Sequence, residues 1–373
     1  MRNVVIIPDS FKGTLSSIEV ASILDEALKS VDSACQSRLI PISDGGEGFI
    51  DCFLSVLPGR KISVPCHDPF GRMIKGYYAL LENNIAVIEL AVAAGLSLVA
   101  DALDPGTAST FGVGELIRHA VSNAVDKIYL GIGGSATNDA GTGLCQALGH
   151  RFLDKEGLPF SPIGRNLDRI CDIDSSLALK TPEIITFTDV RNPLFGLNGA
   201  AYVYAPQKGA NPEMVQQLDQ QLRAYSRFLD AKYGFSSDFP GAGAAGGSSV
   251  SLKCLLGASI ESGIDSLLDL IGFDEIIKKA DLVVTGEGRM DRQSLQGKVI
   301  SGIAKRCAMQ QVPLIAINGQ ISDVPAELYP LGLTMAYAVV SGPVSAIEAM
   351  RHPKLHLKSA AIRIFDALSK DPL

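Results

Sequence analysis

Long apolar runs are missing from this 373-residue chain. A membrane-spanning helix needs about 18 or more uninterrupted apolar residues, and no such stretch occurs. The opening MRNVVIIPDS is apolar only over residues 4–7, before Pro8 and Asp9. That is too short for a signal peptide and reads as a first strand. Runs of Lys and Arg are also missing, and the net charge is −7, which argues against a nucleic-acid surface. The seven cysteines are odd in number and contain no CxxC pair, as expected of reduced, mostly buried thiols in a cytoplasmic protein. No GxSxG occurs and the five histidines are scattered, which disfavours a Ser-His-Asp hydrolase. His352 and His356 stand four apart, but Pro353 lies between them and no third ligand accompanies them, so zinc is disfavoured. There is no phosphate-binding loop of the Gly-Lys-Ser/Thr kind, because Gly297-Lys298 is followed by Val299. No repeat or low-complexity tract is evident, and residues 238–247 are the most linker-like stretch.

What is present points to an α/β protein of two domains. The length favours two domains over one, and 47% apolar residues supply ample core. A strand at 4–7, a capping box in Ser16-Ser17-Ile18-Glu19, a helix burying Val20, Ile23, Leu24, Ala27, Leu28 and Val31, and a strand at 38–42 make a βαβ beginning. Apolar strands at 281–285, 313–317 and 335–340 continue the theme near the C-terminus. A helix through Leu295, Val299, Ile303 and Ala304 and a last helix through Ala361, Ile362, Phe365 and Leu368 accompany them. These strands predict a five-stranded parallel sheet of the flavodoxin/Rossmann-like type. The middle, with more Pro and Gly turns and hairpin-like pieces such as 201–205, reads as a second α/β domain inserted into the first. The expected division is 1–62 plus 256–373 for the sheet domain and 63–255 for the insert, with the site in the cleft between them.

Glycine is abundant, at 37 residues, and clusters beside Ser, Thr, Asp and Glu. The segment Gly131-Ile132-Gly133-Gly134-Ser135-Ala136-Thr137-Asn138-Asp139 follows an apolar stretch and precedes a helix-like run. Such a turn presents backbone N–H groups to an anion, and this one adds two hydroxyls, an amide and a carboxylate. Ligands in open parallel sheets sit off the carboxyl ends of strands. Ser10 and Lys12, Asp44 and Glu47, and Glu287, Arg289 and Asp291 follow three such strands and are expected to converge. Asp189, with Arg191 and Asn192 after it, ends the apolar run 184–187 and is poor core material. Lys208 precedes a glycine before the helix start Asn211-Pro212, a place suited to a phosphate. Two glycine patterns match dinucleotide fingerprints in letters: Pro240 to Gly247 does not follow a strand, and Gly131 to Ala136 is followed by Thr-Asn-Asp where a helix should turn apolar.

Together PDSFKGTLS, DGGEG, GIGGSATNDAGTG, TDVRNPLFG, NGA, PQKGA, PGAGAAGG and TGEGRMD, followed by GKV, resemble the motif series of the bacterial type-I glycerate kinases, in the family's order and from residue 8 to about residue 300. The resemblance implies ATP-dependent, Mg²⁺-requiring phosphorylation of D-glycerate, with 2-phosphoglycerate as the product of this branch and 3-phosphoglycerate as the alternative. Four positions depart from the family pattern: Ser248, Ile300, Thr188 and Asn318 stand where a large apolar residue, proline, cysteine and a small apolar residue are usual.

Phosphoryl transfer needs positioning and neutralised charge. With the resemblance in hand, Asp189 is the expected base, Lys12 the group meeting the transferred phosphoryl, and Asp44 a further catalytic residue. Ser10, Asp44, Glu47, Arg191, Glu287 and Arg289 are expected to bind the acid. Gly133, Gly134, Ser135, Thr137, Asn138 and Lys208 are expected to bind the nucleotide phosphates, and Asp139, Asp189 and Asp291 the metal. An NAD(P)-dependent oxidoreductase and a non-catalytic hydroxy-acid sensor are the competing readings. The oligomeric state is open, with a homodimer among the forms allowed.

Overall fold

The computed structural model describes residues 2–11, 13–43, 45–262, 264–292, 299–323, 326–340 and 346–371. Lys12, Asp44, Leu295, the Gly297-Lys298 pair and Ser341-Gly342-Pro343 lie outside the described residues. The chain folds as two compact units, one of Met1–Asp44, Asp51–Leu57 and Gly263–Leu373, the other of Gly45–Ile50 and Pro58–Ser262. It therefore passes from one unit to the other at four places. Among the described residues no helix is long and apolar enough to cross a membrane. All seven cysteines are free thiols, five of them buried.

The first unit holds a parallel sheet in the order Gln36–Leu39, Asn3–Ile6, Leu282–Thr285, Leu314–Asn318, Met335–Ala338. This is the flavodoxin-like order, with its switch point between Asn3–Ile6 and Leu282–Thr285. Leu282–Thr285 and Leu314–Asn318 are buried at every position, as strands covered on both faces must be. Helices Ser17–Val31 and Pro353–Lys370 pack together over Val4, Ile6, Val284 and Ile315. The first of these starts at the expected capping box: Glu19 N–H donates to Ser16 Oγ (3.3 Å), and Ser16 N–H donates to Glu19 Oε2 (3.0 Å). Such a cap is worth about 1 kcal/mol.

The second unit has a mixed sheet in the order Ser259–Ser262, Glu183–Thr188, Lys127–Gly131, Ile85–Glu89, Met73–Leu81, Gly59–His67. The first four strands are parallel, and the last two add as antiparallel edges. Two stretches differ from the sequence reading. Residues expected as a hairpin-like piece form the helix Ala200–Tyr204, and Pro206–Lys208 is a 3-10 turn that follows it. Tyr202, Val203 and Tyr204 favour a strand by local propensity, but Ala200, Ala201 and Ala205 are fully buried at helical spacing, and that packing prevails. Residues 238–247, linker-like in composition, are mostly packed into this unit. A Cβ at Gly246 would overlap the Thr137 carbonyl oxygen, so the glycines there permit backbone contact rather than flexibility.

Candidate active site

In the second unit the register sets Glu89 opposite Gly131, and Gly131 opposite Phe187. Three parallel strands thus end at one level, and the loop 131–139 leaves from the middle one. Its backbone is pinned on several sides: Ile132 N–H donates to Phe187 O (3.3 Å), Gly133 N–H to Gly45 O (2.9 Å), Ala136 N–H to Ala94 O (2.9 Å) and Ala140 N–H to Gly246 O (3.1 Å). The amides of Gly134 and Ser135 take no part in these bonds, and Gly134 is exposed.

The glycines here have a steric purpose. A Cβ on Gly131 would lie 2.5 Å from Gly45 O, and one on Gly133 would lie 2.5 Å from Gly46 Cα. The Gly45-Gly46 backbone lies against the second glycine of the pattern, where a dinucleotide fingerprint lets pyrophosphate approach. Beside it Phe49 packs on Phe187 (centroids 5.2 Å), and Ile50 N–H donates to the buried Glu89 carboxylate (2.7 Å). Glu47, within the same segment, is exposed.

Asp139 is fully buried. It accepts from Thr110 N–H and Oγ–H (2.8 Å each), Gly141 N–H (3.2 Å) and Gly143 N–H (3.3 Å). Burial pushes its pKa up, and these donors pull it down. Expected as a metal ligand, it is occupied here in closing the turn after the loop. Lys208 is buried too, and its Nζ donates to Thr137 O (2.7 Å). Desolvation brings its pKa down to about 7, while the charge of Asp139 acts in the opposite direction. Lys208 thus braces the loop from beneath. Ser135 and Thr137 bond each other through their hydroxyls (2.8 Å). Asn138 is fully buried, and neither its Oδ1 nor its Nδ2 has a partner among the described residues. A buried amide left so costs roughly 1–3 kcal/mol, so the loop carries unspent polar capacity of the kind a water or ligand fills.

At the next strand end, Asp189 is half-buried and Arg191 exposed. Val190 N–H donates to Thr188 Oγ1 (3.2 Å), and Tyr204 Oη–H to Asn192 Oδ1 (2.8 Å). Burial first, then the Asp189 charge, raises the Tyr204 pKa.

The first unit brings Ser10, Glu287, Arg289 and Asp291 to one cavity of about 440 Å³, at the carboxyl edge of the sheet. Asp9 N–H donates to Gly286 O (2.9 Å), which ties the first loop to the third across the switch point. Arg289 Nε donates to Ser322 Oγ (2.9 Å) and stands 3.7 Å from Asp291 Oδ2. Glu287 N–H donates to the side chain of the buried Asn318 (3.2 Å), whose amide also reaches Tyr337 O (3.5 Å).

Three contributors escaped the sequence reading of the site: Glu89, Thr110 and Asn318. Glu89 carried the same signal as Asp189, a carboxylate ending an apolar strand. Asn318 was visible as a polar residue closing an apolar strand and as a departure from the family pattern, but not as a site residue. Among the described residues no group of three or more His, Cys, Asp or Glu side chains could hold a metal. Magnesium in kinase sites commonly takes one or two carboxylates together with substrate phosphates; Asp291 in the first unit and Asp189 in the second, neither of them fully buried, each fit that donor chemistry.

The comparisons agree with this architecture. The model of the "Glycerate kinase family" matches residues 4–369. A glycerate kinase of Bacillus subtilis is 38% identical over 364 residues, covering 96% of this chain and 95% of that protein. The glycerate 2-kinase of Escherichia coli is 36% identical and covers 93% of each. The crystal structure of a protein assigned as glycerate kinase 2 from Salmonella typhimurium LT2 superposes with a TM-score of 0.82 at 34% identity, over 99% of this chain and 98% of that one.

Proposed function

We propose a reaction for a chain that belongs to the glycerate kinase family: transfer of the γ-phosphoryl group of ATP to the 2-hydroxyl of D-glycerate, giving 2-phosphoglycerate and ADP. The observation that carries the reading is the pairing of two features at adjacent strand ends. One is a braced glycine loop with the Gly134 and Ser135 amides outside its own bonding, and the other is the half-buried Asp189 carboxylate. Amides at such a turn suit phosphate oxygens, and a carboxylate at that depth suits a general base.

In the proposed step the glycerate oxygen attacks the γ-phosphorus and its proton passes to Asp189. The bond to the β,γ-bridging oxygen breaks, and ADP leaves with that oxygen. Ser10, Arg289, Glu47 and Arg191 are assigned to the acid, with the guanidinium groups facing its carboxylate. Lys12 and Asp44 keep the catalytic roles drawn from the motif. Asp189 and Asp291 would hold Mg²⁺, which neutralises phosphate charge when bound. The loop residues Thr137 and Asn138, with Lys208 beneath them, set the shape of the phosphate site.

The test is glycerate-dependent ADP release in a coupled assay, with the product identified by phosphorus and proton NMR. Loss of a general base costs about 10²–10⁴-fold. Asp189→Asn and Lys12→Ala should therefore both lose turnover, and near-normal rates in both would defeat the role assignments. A 3-phosphate product would overturn the regiochemistry alone.

A further inference from the structure

The cavity of the first unit does not match the acid alone. Glycerate is a small hydrophilic anion, whereas 440 Å³ falls in the range of roughly 300–1,000 Å³ typical of drug-sized ligand sites. Among the described residues its polar wall holds three carboxylates, those of Asp9, Glu287 and Asp291, one guanidinium, that of Arg289, and the neutral Ser10, Thr14 and Gln320. That sign suits a guest with N–H and O–H donors better than a second anion. An apolar face of the wall includes Phe11, Val299, Val339, Val340, Met350 and Leu357. A small acid has no use for such a face, but a flat heteroaromatic ring does. Met350 is largely exposed, and its flexible thioether adapts well to a ring face. The place also fits, because parallel sheets of this order bind ligands off the carboxyl ends at the switch point.

We propose that this cavity is the nucleoside site of the kinase, taking the purine and ribose of ATP. The purine lies against Val339, Val340 and Met350. The Asp9 and Glu287 carboxylates accept from donors of the base and ribose, with Glu287, whose backbone is held by Asn318, facing a ribose hydroxyl. Ser10 and Arg289 remain with the acid at the polar end. The inference rests on the kinase reading, and its test separates the two.

The full chain is irradiated with 2-azido-ATP, with and without excess ATP, and the labelled peptides are mapped. Label on peptides carrying Val339, Val340 or Met350, suppressed by ATP, is the expected result. Label confined to the second unit, or no label at concentrations where the enzyme turns over, overturns the proposal. Met350→Asp, at an exposed position, should raise the KM for ATP at least about tenfold, or about 1.4 kcal/mol, with the KM for glycerate and the far-ultraviolet dichroism unchanged. An unchanged KM for ATP, or a rise confined to glycerate, overturns it too. If the unaltered protein releases no ADP with glycerate, the kinase reading falls, and the peptide map still decides the nucleoside site by itself.

Discussion

Replacing Gly133 by alanine tests whether the glycines of the 131–139 loop serve backbone packing. A Cβ there would lie 2.5 Å from Gly46 Cα, 2.9 Å from Gly46 N and 3.2 Å from Gly45 O. All three are backbone atoms, so no side chain can swing aside. The 45–46 segment must lift, which breaks the Gly133 N–H bond to Gly45 O. Overpacking costs about 1–3 kcal/mol and the lost bond about 0.5–1.5 kcal/mol, for a total of about 1.5–4.5 kcal/mol. Gly257 is the control. Its φ is +65° and nothing lies near its absent Cβ, so Gly257→Ala should cost only the left-handed backbone term of about 1–2 kcal/mol. The chain has no tryptophan, so urea unfolding is followed by far-ultraviolet dichroism, with hydrogen exchange resolving the two units. Because Glu47 directly follows the lifted segment, kcat/KM should fall in Gly133→Ala and stay unchanged in Gly257→Ala. Equal urea midpoints for Gly133→Ala and the unaltered protein would refute the steric account.

Two further expectations follow from buried polar groups. Burial lowers the Lys208 pKa from the ordinary 10.5 to about 7, so between these values the unfolded chain holds a proton that the folded chain has released. Stability conferred through this group therefore rises with pH across that window. The buried Tyr225 and Cys145, whose pKa values are raised, act in the opposite direction, so the measured quantity is the difference between the unaltered protein and Lys208→Met from pH 7 to 9. A pH-independent difference would remove the burial argument. Asn318→Ala should cost about 1–3 kcal/mol by orphaning the Glu287 amide, and it should raise the KM for ATP more than kcat falls. If kcat alone moves, Asn318 is not positioning Glu287 for binding.

Asn3–Ile6, Leu282–Thr285 and Leu314–Asn318 were legible because each is a short apolar run ended by a polar turn, the pattern of a strand buried on both faces, whereas Gln36–Leu39 and Met335–Ala338 are the half-exposed edges of the sheet. The carboxyl-edge loops were legible for the same reason, and Ser10, Glu287, Arg289 and Asp291 do share a cavity. Side-chain direction was not legible. Lys208 looks like a phosphate ligand in letters, but the turn Pro206–Lys208 follows a helix and carries its ammonium beneath Thr137. Asp139 reads as a metal carboxylate until Thr110, 29 positions away, is seen to supply its donors. The helix Ala200–Tyr204 was hidden because local propensity at Tyr202-Val203-Tyr204 opposes the burial of Ala200 and Ala201, and burial depends on residues distant in sequence.

The segment Gly45–Ile50 belongs by its packing to a unit whose remaining residues begin at Pro58. The two parts are therefore not separable by one pair of cuts. A fragment consisting of 58–262 would expose the empty seat of Phe49 on Phe187, the bare glycine faces of the 131–133 turn and a Glu89 carboxylate stripped of the Ile50 amide. Such a fragment should be sticky and poorly soluble, and it should recover when a short synthetic peptide of 45–50 is supplied in trans. Grafting or circular permutation of this unit has to carry those six residues with it.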